Sequence, residues 1–182
     1  MSEYDDVQLL AIFREGREEY AFTLIVKKYQ QKLYYHIRRM VKNHDDADDV
    51  LQNTLVKVWA GLKNFREEAN LYTWLYRIAT NETLTFLGKN KNIQLVPVDK
   101  NPSARATHHE GDASVVGTED IYKKLERAIE SLPEKQRIVF NMKYFDEMPY
   151  EDMSQVLDTS VGALKASFHH AVKKIENFLT GH

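Results

Sequence analysis

Apolar residues recur at steps of three and four along most of this chain, the spacing of helices buried on one side. Phe22, Ile25, Val26, Tyr29, Leu33, Ile37 and Met40 mark one long stripe, Leu51, Leu55, Val58 and Leu62 a second, and Leu71, Trp74, Leu75 and Ile78 a third. The pattern is dense from Asp5 to about Leu87, enough for three or four helices around one core. It disappears between Gly88 and Thr118, where Asn, Lys, Pro, Ser, Thr, His, Gly and Asp predominate. A stretch of that length is unusual inside a compact domain and reads as a linker or a functional arm. Helical pattern resumes at Ile121 and runs to Leu179, with a break at Ser131, Leu132 and Pro133, where Pro133 suits the first turn of a new helix. The expected fold is all-α: two small helical domains, residues 1–88 and 120–182, joined by a flexible linker over 89–119.

The segment from Pro149 to Ile175 predicts two short helices broken by a tight polar turn. In the first, Tyr150 to Leu157, the residues Met153, Val156 and Leu157 face inward; Asp158 and Thr159 make the turn. Ser160 is a good N-cap, because its hydroxyl can accept from an amide that the first turn leaves unpaired. In the second helix Val161, Leu164, Phe168, Val172 and Ile175 share the buried face. That leaves Gly162, Ala163, Lys165, Ala166, His169, His170 and Lys173 outward. Small residues followed by cations suit a helix that enters a DNA groove. An ordinary helical hairpin with a solvated charged face would carry the same pattern.

Composition narrows the choice. The 182 residues hold 25 Lys plus Arg against 27 Asp plus Glu, a formal charge of −2, so any DNA contact must come from local patches. From Val161 to Ile175 the charges are three lysines and no acid, whereas Ile121 to Leu179 as a whole balances nine of each sign. The absence of cysteine excludes disulfides and thiolate metal sites and fits a reducing compartment. The acidic start, MSEYDDVQLL, is unlike a signal peptide, and no apolar run approaches the length of a membrane span, so a cytoplasmic protein is expected.

Two further constellations stand in the first half. Asp45, Asp46, Asp48 and Asp49 open a helical stretch; acids there complement the helix dipole, and calcium is a poor alternative without the glycine and distal Glu of an EF-hand. The polar set Asp48, Gln52, Asn53 and Lys57 would form a rigid protein-docking face. Then a polar loop, Phe65 to Asn70, leads into an aromatic-rich helix on which Tyr72, Thr73, Tyr76, Arg77, Thr80 and Asn81 are expected to be at least partly exposed. Aromatic faces beside Arg and Asn suit single-stranded DNA, since bases stack on rings while a cation meets phosphate. For Trp74 core packing is the better reading.

Taken together, DDADDVLQNTLVKVW, FREEANLYTWLYRIATNETL and LPEKQRIVFNMKYFDEMPYEDMSQVLDTSVGALKASFHHAVKKI resemble the bacterial group IV, or extracytoplasmic-function (ECF), RNA polymerase sigma factors of the sigma-70 family. The likeness spans nearly the whole chain, with three motifs in fixed order. It implies a factor that recruits core RNA polymerase to promoters, with no catalytic residues, cofactor, metal or small-molecule substrate of its own. The implied polymerase contacts, on the β′ clamp helices, are Asp48, Asp49, Gln52, Asn53 and Lys57, with the β flap as a further contact of the factor. Asn64, Phe65, Arg66, Tyr76, Arg77 and Asn81 would capture the unwound minus-10 element, one base flipped into a pocket. Ser160, Gly162, Lys165, Ala166, His169, His170, Lys173 and Lys174 would meet the duplex minus-35 element, with Lys165, Ala166 and His169 at base edges and His170, Lys173 and Lys174 at phosphates. Promoter DNA is one partner, and an anti-sigma factor, membrane-anchored in some cases, another.

The chain departs from the family pattern in two places. Phe86-Leu87-Gly88-Lys89-Asn90-Lys91 stands where many members carry an arginine cluster, and the second helix has Lys165, Ser167, His169 and His170 where Arg is frequent. Bidentate readout of guanine is weaker without Arg. A conventional helix-turn-helix repressor or activator is the rival reading; it needs a ligand pocket and a dimer interface in the first half. An enzyme would need a nucleophile, a phosphate loop or zinc-spaced ligands, none of which the sequence offers.

Overall fold

The computed structural model describes residues 4–66, 70–94 and 118–181, and among them eight α-helices and no strand. In chain order these are α1 (Asp6–Arg14), α2 (Glu18–Val41), α3 (His44–Leu62), α4 (Leu71–Gln94), α5 (Thr118–Glu130), α6 (Glu134–Tyr144), α7 (Tyr150–Leu157) and α8 (Val161–Thr180). The all-α expectation holds. Helix α4 continues to Gln94, past the residue where the apolar pattern fades, and of the expected linker the positions 95–117 lie outside the described residues.

Local chemistry sets the helix ends. Asp5 and Gln8 form a capping box on α1, each side chain accepting from the other's backbone N–H, at 2.8 and 2.9 Å. Helix α2 stops at Lys42 in the left-handed region (φ 72°), and Asn43 then caps α3 through its side-chain oxygen, which accepts from Asp46 N at 2.8 Å. Asn70 does the same ahead of α4, accepting from Thr73 N at 2.7 Å. Pro133 sits just before α6, one position ahead of the expected first turn. Its fixed φ and missing N–H suit it there.

Helices α1 to α4 enclose a core in which Leu9, Ile25, Leu33, Ile37, Leu71 and Leu75 are fully buried. The stripe on α3 is rotated from the expectation: Ala47, Val50, Thr54, Val58 and Leu62 are buried, while Leu51 and Leu55 are half-buried flanks. Small and polar members of that stripe, Ala47 and Thr54, disguised its centre; the Thr54 hydroxyl donates to Val50 O at 2.7 Å, so its burial leaves no hydrogen bond unmade. Trp74 packs on Phe65 (ring centroids 4.9 Å) and lies so close to Gly61 that a Cβ there would stand 2.9 Å from its ring. Gly61→Ala is therefore expected to lower stability by about 1–3 kcal/mol, read as a lower urea midpoint at unchanged slope.

The second half has its own small core of Ala128, Ile129, Leu132, Phe140, Ala171 and Ile175, drawn from α5, α6, α8 and the turn between α5 and α6, with Phe168 stacked on Phe140 at 5.8 Å. Its other face joins the first core: Ile138, Val139, Met142, Met148, Met153 and Val156 are buried in one continuous apolar cluster with residues of α1 to α4. The two helical units are thus packed against each other through α4 and α7 and through α2 and α6.

Candidate functional site

Three exposed surfaces carry the residues singled out in the sequence, and a buried polar cluster joins the two halves. On α3, Asp49, Gln52, Asn53, Val56 and Lys57 are exposed and Asp48 is half-buried; Asp49, Gln52 and Val56 lie opposite the buried Val50, Thr54 and Val58, with Asn53 and Lys57 on the flank. Asp48 pairs with His44 at 3.5 Å, and Lys57 with Glu82 of α4. Val56, 67% exposed, is an apolar residue in the middle of this polar face that sequence reasoning passed over. The available signal was that it falls two residues from both Thr54 and Val58, out of phase with the core.

The second surface is the start of α4 and the loop before it. Asn64 and Arg66 are exposed, but Phe65 is half-buried on Trp74, and positions 67–69 lie outside the described residues. Along α4 the expected exposure holds for Arg77 and Asn81 and for half-buried Tyr72, and fails for Thr73, Tyr76 and Thr80, all of which are buried. Tyr76 is only 2% exposed, with its ring 4.4 Å from Tyr72 and 4.9 Å from His36. Burial, with the Asp146 carboxylate nearby, pushes its phenol well above the usual range, so it stays neutral. The physical reason is that α4 is covered on two sides, by α2 and α3 and by α7, which a stripe read from one helix does not reveal.

The third surface is the outer face of α8. Ser160 caps it as expected, its hydroxyl oxygen accepting from Ala163 N at 3.3 Å, and Asp158 turns the chain in the left-handed region at φ 49°. Gly162, Lys165, Ala166, His169, His170, Lys173 and Lys174 are all exposed, while Leu164, Ala171 and Ile175 are buried beneath them. A Cβ on Gly162 would meet nothing within 4 Å, so packing inside the chain does not demand glycine there. Lys165 is held over the Tyr150 ring, with Nζ 5.8 Å from its centroid, and Lys143 lies over the same ring at 4.8 Å.

The buried cluster centres on Asp146, in the turn between α6 and α7. Its carboxylate accepts from Arg39 at 2.8 Å and lies 2.8 Å from His36 Nδ1, both residues of α2. His36, 1% exposed, has its other ring nitrogen 2.9 Å from Thr80 Oγ1, whose own proton goes to Tyr76 O at 2.7 Å. Arg39 also lies over the Phe145 ring at 4.6 Å. No sequence argument found this set, because His36 and Asp146 stand 110 residues apart; the sole hint was a histidine inside the apolar stripe of α2.

Residues 25–93 match the family model of sigma-70 region 2, and residues 122–175 match that of sigma-70 region 4. The RNA polymerase sigma-H factor of Pseudomonas aeruginosa is 31% identical over 189 residues, covering 98% of this chain and 96% of the relative. The chain belongs to the sigma-70 family of RNA polymerase sigma factors, in its ECF branch. The ECF RNA polymerase sigma-E factor of Escherichia coli K12 is 29% identical, with 97% of this chain and 96% of the relative covered.

Two solved structures share the fold: CnrH in complex with the cytosolic domain of CnrY (TM-score 0.71, 21% identity, 97% of each chain) and the Bartonella quintana sigma factor RpoE with the anti-sigma factor NepR (TM-score 0.67, 22% identity, 87% of this chain and 96% of that one). Region 2 thus contains the α3 face and the start of α4, and region 4 contains the helix-turn-helix of α7 and α8. Sigma factors start transcription without being enzymes. Among the described residues no helix is long and apolar enough to cross a membrane.

Proposed function

We propose that this sigma factor grips core polymerase through α3 and reads its promoter at two points, the start of α4 and the outer face of α8. The observation that carries the reading is the α8 face: eight exposed small, basic or histidine residues, from Gly162 to Lys174, with no acid among them and the backbone open at Gly162. Gly162 and Ala166 let the helix seat in the major groove of the minus-35 duplex, with Ser160 at its mouth, Lys165 and His169 at base edges and His170, Lys173 and Lys174 at phosphates. In an otherwise slightly acidic protein this local charge is supplemented by the DNA grip of the polymerase.

Arg77 and Asn81, exposed one turn apart on α4, with Asn64 and Arg66 of the preceding loop, take the single-stranded minus-10 element. Phe65 supports that loop from its seat on Trp74, and Tyr76 acts from within the core as a positioning residue. On α3, Asp48, Asp49, Gln52, Asn53 and Lys57, with Val56 as the apolar centre, meet the β′ clamp helices, while region 4 meets the β flap. The units divide as 1–88 and 120–182, with 89–119 as the tether. The protein works in the cytoplasm, where the polymerase supplies all bond-forming chemistry, and an anti-sigma factor holds it inactive, as the anti-sigma factor NepR accompanies the Bartonella quintana sigma factor RpoE, a structure of the same fold.

Run-off transcription with core polymerase on a random promoter pool tests this. The parent is expected to select and transcribe a subset of templates. Lys165→Ala is expected to weaken selection about 5- to 100-fold with loss of preference confined to the minus-35 position, and Asn81→Ala to act at minus-10 alone. A parent that neither binds core enzyme nor initiates would overturn the proposal, as would a repressor-like footprint without polymerase.

A further inference from the structure

One of the three lysines of α8 is held in place. Lys165 Nζ lies 5.8 Å from the centroid of the Tyr150 ring and Lys143 Nζ lies 4.8 Å from the same centroid, so lysines of α8 and α6 converge on the first residue of α7. Both distances are within the reach of a cation–π contact. Among the described residues no hydrogen bond or ion pair of Lys165 competes with it. Lys173 and Lys174, also of α8, are exposed and have no partner of any kind among those residues. Of the three, the lysine that meets a ring is the one read above as a base-edge contact, and the two free ones are those read as phosphate contacts.

The ring is a fixed platform. Tyr150 follows Pro149, the N-cap of α7 with φ at −60°, and packs half-buried against the apolar cluster that contains the fully buried Met148 and Met153. Lys143 is pinned beside it, its Nζ donating to Met148 O at 3.3 Å. A lysine free in water has several rotatable bonds, and freezing them on binding offsets part of what the contact gains. Arginine loses less, because its fork is already planar; α8 has lysine at this place, and a ring beside the ammonium restores part of that order. An exposed cation–π contact, worth about two- to fivefold, is strong enough to favour one direction and weak enough to yield the ammonium to a base edge. We propose that Tyr150 is a positioning residue for promoter specificity: it reads no base itself, and its ring aims Lys165 at the minus-35 base edge. The inference rests on the reading of Lys165 as a contact of that duplex.

Two measurements on the full chain test this. By NMR of the free protein, the Lys165 ε-methylene protons, identified by their loss in Lys165→Gln, should lie upfield of those of Lys173 and Lys174 because of the ring. The shift should persist in Tyr150→Phe, which keeps a π face, and vanish in Tyr150→Leu, which is apolar without one. With core polymerase on a promoter pool randomised at minus-35, Tyr150→Leu should lower base preference about two- to fivefold at the positions that Lys165→Ala affects, while minus-10 preference is unchanged and Tyr150→Phe restores the minus-35 preference. Adding Tyr150→Leu to Lys165→Ala should change selection no further. An unshifted Lys165 signal in the parent overturns the inference, and so does parental minus-35 preference in Tyr150→Leu. A Tyr150→Leu loss that persists in the Lys165→Ala background overturns it too, because the ring would then act through packing. A shifted signal in a parent without minus-35 preference overturns the reading of α8 as the minus-35 contact, and the specificity role with it.

Discussion

Asp146→Ala is expected to part the two helical units. The carboxylate, 4% exposed, is the shared acceptor for His36 and Arg39, and removing it leaves a buried imidazole and a half-buried guanidinium facing each other without an anion. Deleting one member of such a buried set costs about 3–5 kcal/mol, here at the low end because the Arg39 side chain is partly exposed and can find water. Against a total stability of about 5–15 kcal/mol that is decisive for the contact, though not for the cores on either side of it. Small-angle scattering should report a larger radius of gyration, and urea unfolding should split from one transition into two. An unchanged radius and a single unchanged midpoint would show that the apolar contact of Val139, Met142, Met153 and Val156 suffices alone. A His36→Ala/Asp146→Ala double-mutant cycle should return a coupling of about 0.5–3 kcal/mol. Opening would also uncover Tyr72, whose hydroxyl lies 3.4 Å from Asp146 O.

The second large effect is expected on α3. Asp49, Gln52 and Asn53 are exposed and lie on one side of a helix whose packing is carried by Val50, Thr54 and Val58. Replacing the three by Ala should leave the fold intact, because alanine is the best helix former and none of the three is buried. Binding to core polymerase should weaken by about 2–4 kcal/mol, a loss of roughly 30- to 1,000-fold, if the face holds the interface hot spot. Transcription from every promoter should fall together, in contrast to the position-specific losses expected for Lys165→Ala and Asn81→Ala. Val56→Asp alone should approach the triple variant, since it places a charge in the apolar centre of the face. Normal core affinity in both variants, measured by fluorescence anisotropy, would move the docking surface elsewhere.

Much of this was legible before any coordinates. Leu33, Ile37, Leu71, Leu75, Leu164 and Ile175 announced their burial by period alone, because each helix must hide its apolar side whatever covers it. Ser160 announced the start of α8, and the break at Pro133 the start of α6, because capping is a transaction within one turn of chain. The outward set on α8 was read correctly for the same reason: one buried side fixes the other.

The errors fall where a helix meets more than one neighbour. Thr73, Tyr76 and Thr80 look exposed on a helix assumed to have one covered side, and are buried because a second unit closes over α4. Ala47 and Thr54 at the centre of α3 carry too little apolar signal for periodicity to detect, although their burial fixes which residues face out. By itself, then, the sequence determined the helices, their caps, the order of two units and most of the faces turned outward, all set within a few turns of chain. Only the tertiary structure decided how the units meet, through His36, Arg39 and Asp146, and which residues of α4 they cover, Tyr76 and Thr80 among them. Those contacts join residues about a hundred positions apart, and a distance of that kind leaves no periodic trace in the chain.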